Sequence, residues 1–119
     1  MLEKPHKKLE VWKKSIELVQ KIYELTETFP KSEFYGLTNQ MRRAAVSIPA
    51  NISEGAARQT KKEFIQFLHV SQGSLSELDT HLEISTKLAY LKEDDLQELP
   101  LLMNGIDKML TGLIKSLKK

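Results

Sequence analysis

Histidine and carboxylate side chains are the residues of this chain best suited to acid–base or metal chemistry, and the histidines are His6, His69 and His81. His69 and His81 are separated by about 18 Å along a helix, so they cannot share a metal ion within one chain. Glu77 precedes His81 at the spacing of a side-chain pair on one helix face. We interpret this pair as solvated, because a His–carboxylate pair lacks the third group of a catalytic triad.

Other catalytic patterns are absent from the sequence. Ser71, Ser74 and Ser76 lie close together, but no glycine elbow surrounds them, and no phosphate-binding glycine loop is present. The chain has no cysteine, which excludes disulfides, thiolate metal sites and cysteine nucleophiles. The acidic run EDDLQE at 93–98 lacks the glycine and spacing of a calcium loop and is typical of a helix N-terminus. The sequence predicts a protein that is not an enzyme and has no cofactor or metal.

Basic residues supply the remaining candidate chemistry, which is binding to phosphate. We expect a nucleic-acid-binding set around the stretch RRAAVSIPANISEGAARQTKK, made of Arg42, Arg43, Arg58, Lys61 and Lys62. Contacts of this kind are made to the nucleic-acid backbone, so binding should depend steeply on salt and weakly on base sequence. The alternative is that these residues form ion pairs with acidic residues of the third helix or of a neighbouring subunit.

Formal charge is polarised along the chain. Residues 1–62 carry 12 Lys and Arg against 7 Asp and Glu, residues 63–98 carry 2 against 8, and residues 99–119 carry 4 against 1, although the total is only +2. This polarity indicates an anionic partner for the basic part or association between opposite faces. A protein–protein scaffold that binds no nucleic acid is the second functional hypothesis.

Four segments with helical periodicity must position these residues, and no window shows the alternation expected of a strand. The segments are predicted at 7–28, from a start between 35 and 37 to 56, at 61–91 and at 93–117. A capping box of Thr60 and Glu63 marks the start of the third. Because the connections are short, successive helices should be antiparallel neighbours. The 119 residues thus predict one all-α domain, 1–119, folded as an up-down-up-down antiparallel four-helix bundle.

Apolar residues at spacings of three and four predict the buried face of each helix. The first helix should bury Leu9, Trp12, Ile16, Val19 and Tyr23. The third should bury Phe64, Phe67, Leu68, Ser71, Leu75, Leu78, Leu82 and either Ile84 or Ser85. The fourth should bury Leu96, Leu99, Met103, Ile106, Leu110, Leu113 and Leu117. The aromatic pair Phe34–Tyr35, before the second helix, is expected to cap the bundle end or to lie in a subunit contact.

The second helix is predicted to run through Pro49 with a kink. A proline inside a helix costs roughly 3 kcal/mol, yet Ile48 and Ile52 keep helical register across it. The alternative is a helix that ends at Ile48 and restarts with Pro49 as its first residue. The small residues here should permit a close helix or subunit contact, in which Asn51 and Glu54 would be semi-buried. The expected contact residues are Pro49, Asn51, Glu54, Gly55, Ser71 and Ser74.

The N-terminus, MLEKPHKKLEVW, is charged and no apolar run of signal-peptide length follows it. No stretch reaches the apolar length of a membrane span. We therefore expect a cytoplasmic protein with no membrane partner.

Two long stretches, FYGLTNQMRRAAVSIPANISEGAAR and EFIQFLHVSQGSLSELDTHL, closely resemble the bacterial four-helix-bundle proteins called 23S rRNA intervening-sequence proteins. The opening LEVWKKSIELVQKIYELTETFP and the end IDKMLTGLIKSL fit the same family, so the resemblance covers nearly the whole chain. It implies a ring-like homopentamer of four-helix bundles. A related branch, the accessory proteins of diversity-generating retroelements, implies binding to nucleic acid and to a protein partner. The near-neutral charge of this chain departs from that strongly basic branch.

Overall fold

The computed structural model describes residues 1–119 and contains only helices. Two short 3-10 turns, Pro5–Lys8 and Lys31–Glu33, accompany four α-helices. The α-helices are α1 (Glu10–Thr26), α2 (Leu37–Ala56), α3 (Lys61–Lys87) and α4 (Glu93–Leu117). The all-α prediction is confirmed, and the start of α3 and both ends of α4 match the predicted positions. The predicted capping box forms, since the backbone N–H of Glu63 donates to Thr60 Oγ1 at 3.1 Å.

Each helix packs against two others. α1 contacts α2 and α4, and α3 contacts α2 and α4, with the closest association between α2 and α3. The molecule measures 44 × 26 × 20 Å, close to the length of about 40 Å expected for its longest helix. Twenty buried apolar residues form a single core. They lie in the four α-helices, except for Phe29 in the turn after α1. The arrangement places α2, which carries most of the candidate residues, between α1 and α3.

Helix α3 ends earlier than the predicted residue 91. Its last turn closes with the N–H of Tyr90 donating to the Ser85 carbonyl and the N–H of Ala89 donating to the Thr86 carbonyl, both at 3.0 Å. Ala89 has a φ of 61°, the left-handed conformation that terminates helices in this pattern. Glycine is usual at this position and marks the end of a helix in a sequence. Because this chain has alanine there, its sequence did not indicate that α3 ends at this point.

The predicted buried face of α1 is wrong in part. Ile16 and Tyr23 are exposed, while Leu9, Trp12 and Val19 are only partly buried against the core. The residues that α1 buries are Val11, Ser15, Leu18, Ile22, Leu25 and Thr26. The helix has more apolar surface than its two neighbours cover, so periodicity alone did not select the correct stripe.

Of the two alternatives in α3, Ser85 is buried and Ile84 is exposed. Three further differences concern residues that were predicted to be buried. Leu96 at the start of α4 is exposed, Phe64 is partly buried, and Leu113 and Leu117 pack against the edge of the core. Helix α4 also contains Pro100.

Helix α2 is continuous from Leu37 to Ala56 and includes Pro49, which is buried. The alternative of two helices divided at this proline is therefore wrong. A kink at Pro49 and the up-down-up-down direction of the four helices stay predictions at this point.

Candidate functional site

A groove of about 690 Å³ lies on the outer face of α2, beside the C-terminal part of α1. Its nine lining residues include two arginines, three aromatic rings and no carboxylate, and they are Tyr23, Phe34, Tyr35, Thr38, Asn39, Arg42, Arg43, Val46 and Ser47. We call this set the α2 groove. The arginines were predicted from the sequence as phosphate ligands, whereas the groove itself was not predicted.

Arg42 is held by the end of α1, and its side chain is only 18% exposed. Its Nε donates to Thr26 Oγ1 at 2.8 Å, and Nη2 donates to the Tyr23 carbonyl at 3.3 Å and to Glu27 Oε1 at 3.1 Å. The guanidinium carbon also lies 4.5 Å from the centre of the Tyr23 ring. Arg42 thus acts within the fold as a clamp between α2 and α1, and its acidic partner belongs to the end of α1 rather than to α3.

Arg43 has a different environment although it is the next residue. It is exposed and lines the α2 groove, and no salt bridge engages it. Its guanidinium is available to an anion from outside the protein.

The other three predicted basic residues lie at the opposite end of α2. The helical path from Arg43 to the end of α2 is about 20 Å, so the five residues form two patches instead of one. Lys61 and Lys62 are exposed in the first turn of α3 and make no salt bridge. Arg58 donates to Glu54 Oε1 at 2.9 Å, and its guanidinium carbon lies 4.8 Å from the centre of the Phe67 ring.

Glu54 lies outside the predicted close contact. It was predicted to be semi-buried in a close helix contact, but its side chain is 56% exposed and forms the ion pair with Arg58. Glu54 is exposed because it lies on the side of α2 that faces solvent, while the next residue, Gly55, lies on the side that faces α3.

Small polar residues connect α2 to α3 near Pro49. The Ser71 hydroxyl donates to the Ile48 carbonyl at 2.9 Å, and the hydroxyls of Ser47 and Ser74 are 2.8 Å apart. Within α2, Asn51 Nδ2 donates to the carbonyl of Ser47 at 2.8 Å. The two serine hydrogen bonds join α2 to α3 within one chain.

Gly55 allows a close approach of α3 to α2. A Cβ atom at Gly55 would lie 2.7 Å from the Cβ of Phe67 and 2.9 Å from Cδ1 of Phe64. Real Cβ atoms do not approach other atoms so closely, so a glycine is required where α3 begins to pack on α2.

His81 is not the solvated residue that was predicted. It is 7% exposed, and its Nε2 lies 3.1 Å from Oε2 of the exposed Glu77. Its buried Nδ1 has no hydrogen-bond partner. No group of three or more His, Cys, Asp or Glu residues is placed to bind a metal ion. None of the helices has the length and apolar character needed to cross a membrane.

Comparison with known proteins matches this chain to a protein family and to solved structures. A family model described as 23S rRNA-intervening sequence protein matches residues 7–112. The chain is also similar to a protein with unknown function from the S23 ribosomal protein family of Bacteroides thetaiotaomicron VPI-5482, whose crystal structure was solved at 1.70 Å. The identity is 25% and the TM-score is 0.81, over 88% of this chain and 95% of that one. No curated protein matches the chain.

Proposed function

The chain belongs to the 23S rRNA-intervening sequence protein family, and on that premise we propose that it is a non-enzymatic, homo-oligomeric protein that binds RNA or DNA through exposed basic residues. The observation that carries the proposal is that Arg43, Lys61 and Lys62 are exposed and unpaired with any carboxylate. Arg42 and Arg58 add positive charge next to these residues, and ion pairs with Glu27 and Glu54 hold them in place.

Assembly increases the strength of such a surface. Each copy offers few free positive charges, and counterion release scales with the number of phosphates contacted. A ring of five copies, as the family resemblance implies, would repeat each basic patch around one axis. Exposed apolar side chains on two helices, Ile16 and Val70, are suited to subunit contacts.

Two finer features of the fold belong to the same proposal. An up-down-up-down bundle is supported by the contacts between α2 and α3. Met41 pairs with Ser85 and Ser47 pairs with Ser74, so the residue number increases along α2 while it decreases along α3, as it does in antiparallel helices. A bend at Pro49 is supported by the backbone hydrogen bond that a proline cannot donate. We also propose that the protein acts in the cytoplasm, which fits a chain without cysteine.

Binding is tested by gel shift and fluorescence anisotropy with ribosomal RNA fragments at two salt concentrations. We expect a shift at low salt and a loss of at least about tenfold in affinity after a fourfold rise in salt, as expected for several phosphate contacts. The triple variant Arg43→Glu/Lys61→Glu/Lys62→Glu should abolish the shift. The matched control, Lys108→Glu/Lys115→Glu/Lys118→Glu on α4, carries the same change in charge and should retain it. No shift of the wild-type protein at low salt would refute nucleic-acid binding.

A protein–protein scaffold is the second candidate, favoured by the engagement of Arg42 and Arg58 inside the chain. The gel shift separates the candidates, because only the first requires binding of nucleic acid, while light scattering tests the assembly that both require. If the triple variant has a lower oligomeric mass and also loses the gel shift, we infer that the basic residues take part in assembly.

A further inference from the structure

The α2 groove has features that phosphate contacts alone do not need. Three of its residues are exposed aromatic residues, namely Tyr23 at 41%, Phe34 at 54% and Tyr35 at 89%. Exposed aromatic rings next to arginine are the combination that binds unpaired nucleotides, since each base can stack on a ring while its phosphate pairs with a cation. We propose that this groove binds single-stranded nucleic acid, with an unpaired base stacked on Tyr35 and a phosphate bound by Arg43. This inference rests on the proposed function and names the class of ligand.

The aromatic residues are arranged as a platform. Phe34 and Tyr35 precede α2 and contact each other edge to face, with ring centres 4.9 Å apart and an angle of 84° between the planes. This contact supports Tyr35 from one side, while its high exposure leaves ring surface free for a base. Tyr23 is fixed by the Arg42 guanidinium over its ring, so the floor of the groove is preorganised.

The charge of the groove favours an anion. Arg42 and Arg43 both line it and no acidic residue does. Glu27 offsets Arg42 through the ion pair at 3.1 Å, which leaves Arg43 as the free positive charge. Asn39 is exposed and adds an amide group to the groove, which can hydrogen-bond the edge of a base.

A single strand fits this chemistry better than a duplex. In a duplex the bases are stacked on one another, so Tyr35 would find only phosphates and groove edges. The volume of about 690 Å³ lies within the range of sites for small ligands. A short unpaired segment therefore suits the groove, while duplex binding would use only the basic residues.

The test compares two probes, a fluorescein-labelled single-stranded RNA of about twelve nucleotides, within the usual site size, and a duplex of equal length. Tyr35→Ala should weaken single-strand binding about 5- to 100-fold and leave duplex binding unchanged. Tyr35→Phe keeps the ring and should bind as the wild-type protein does. Leu101→Ala on α4, where the side chain is 75% exposed outside the groove, is the matched control and should change neither affinity. Circular dichroism and light scattering of each variant establish its folding and mass.

The outcomes separate this inference from the proposed function. Equal binding of the single strand by Tyr35→Ala and the wild-type protein would overturn the stacking site, while loss of binding in the Arg43/Lys61/Lys62 variant would still support phosphate contacts. A fall in molecular mass for Tyr35→Ala would also overturn it, because the groove would then be a contact between copies. Failure of the wild-type protein to bind either probe would refute both proposals.

Discussion

The hydroxyl of Ser71 on α3 lies 2.9 Å from the carbonyl oxygen of Ile48 on α2, one residue before Pro49. Ser71 and Ile48 are both completely buried, so water cannot replace this hydrogen bond. Helix α3 thus donates a hydrogen bond to the backbone of α2, next to Pro49, which interrupts the backbone hydrogen bonding of α2.

Ser71→Ala removes the donor and leaves a buried carbonyl with one partner fewer. We expect a loss of about 1–2 kcal/mol in the free energy of unfolding. Urea denaturation followed by circular dichroism measures it. The exposed Ser76→Ala should stay within about 0.5 kcal/mol of the wild-type protein, and an equal effect of both substitutions would show that the buried hydrogen bond contributes nothing.

Gly55→Ala tests the close approach of α2 and α3. The new methyl group would meet the Cβ of Phe67 at 2.7 Å, so we expect destabilisation of about 1–3 kcal/mol from overpacking. Gly73→Ala is the matched control, because a Cβ there meets nothing within 4 Å and alanine should stabilise the helix by about 0.5–1 kcal/mol. Thermal melts should move in opposite directions, and a stabilised Gly55→Ala would contradict the packing described here.

Arg42 and Arg43 should separate structural and binding roles. Arg42→Ala removes charged hydrogen bonds to the end of α1, and we expect about 1.5–3 kcal/mol less stability. Arg43→Ala should stay within about 0.5 kcal/mol of the wild-type stability while weakening nucleic-acid binding. Denaturation and anisotropy on the same samples measure both effects, and equal destabilisation by the two variants would contradict the assignment.

Ala89→Gly tests the left-handed residue that ends α3. Glycine adopts a φ of 61° without steric strain, so we expect a gain of about 0.5–1 kcal/mol. Ala57→Gly, at a φ of −83° after α2, should give no gain because its conformation already suits alanine. Differential scanning calorimetry compares the two, and a lower melting temperature for Ala89→Gly would argue against the left-handed conformation.

The pKa of Tyr90 predicts a loss of stability at high pH. The Tyr90 hydroxyl donates to Glu33 Oε2 at 3.0 Å, and this hydrogen bond, desolvation and the charge of Glu33 raise its pKa above the ordinary value of 10.0. A raised pKa means that the folded state holds the proton more tightly than the unfolded state. The stabilising contribution is complete below pH 10.0 and is lost as the pH rises through the raised pKa.

Urea midpoints across the alkaline range measure this effect. Tyr90→Phe should decline less steeply with pH than the wild-type protein, because phenylalanine cannot ionise. Tyr35→Phe, at an exposed tyrosine, should decline as the wild-type protein does. Parallel curves for the wild-type protein and Tyr90→Phe would show that the Glu33 contact does not govern alkaline stability.

Local patterns predicted much of the fold. The start of α3 was identified from Thr60 and Glu63, and α4 from its repeat of apolar residues and its acidic first turn. Helix α2 was predicted to continue through Pro49 because the apolar register did not slip. These features depend on residues within one or two helical turns, so they can be read from neighbouring positions.

Site predictions from sequence were less complete. Arg43 was identified as a candidate phosphate ligand and is exposed, but Arg42 was given the same role although it binds the end of α1. The pair Phe34–Tyr35 was expected to cap the bundle end or to lie in a subunit contact. Both residues are exposed in the single chain, and the groove that they form with α1 was not predicted. The partners of Arg42 lie far along the chain, and no local periodicity indicates them.

Four amphipathic helices follow from the order of the residues alone, because backbone geometry fixes which nearby residues share a helix face. The packing of the helices selects which apolar residues of α1 are buried and which of two adjacent arginines is free. Burial and ion pairing depend on the surfaces that distant segments present, so local patterns do not reveal them. The docking of α2 against α1 occupies Arg42 and leaves Arg43 facing outward.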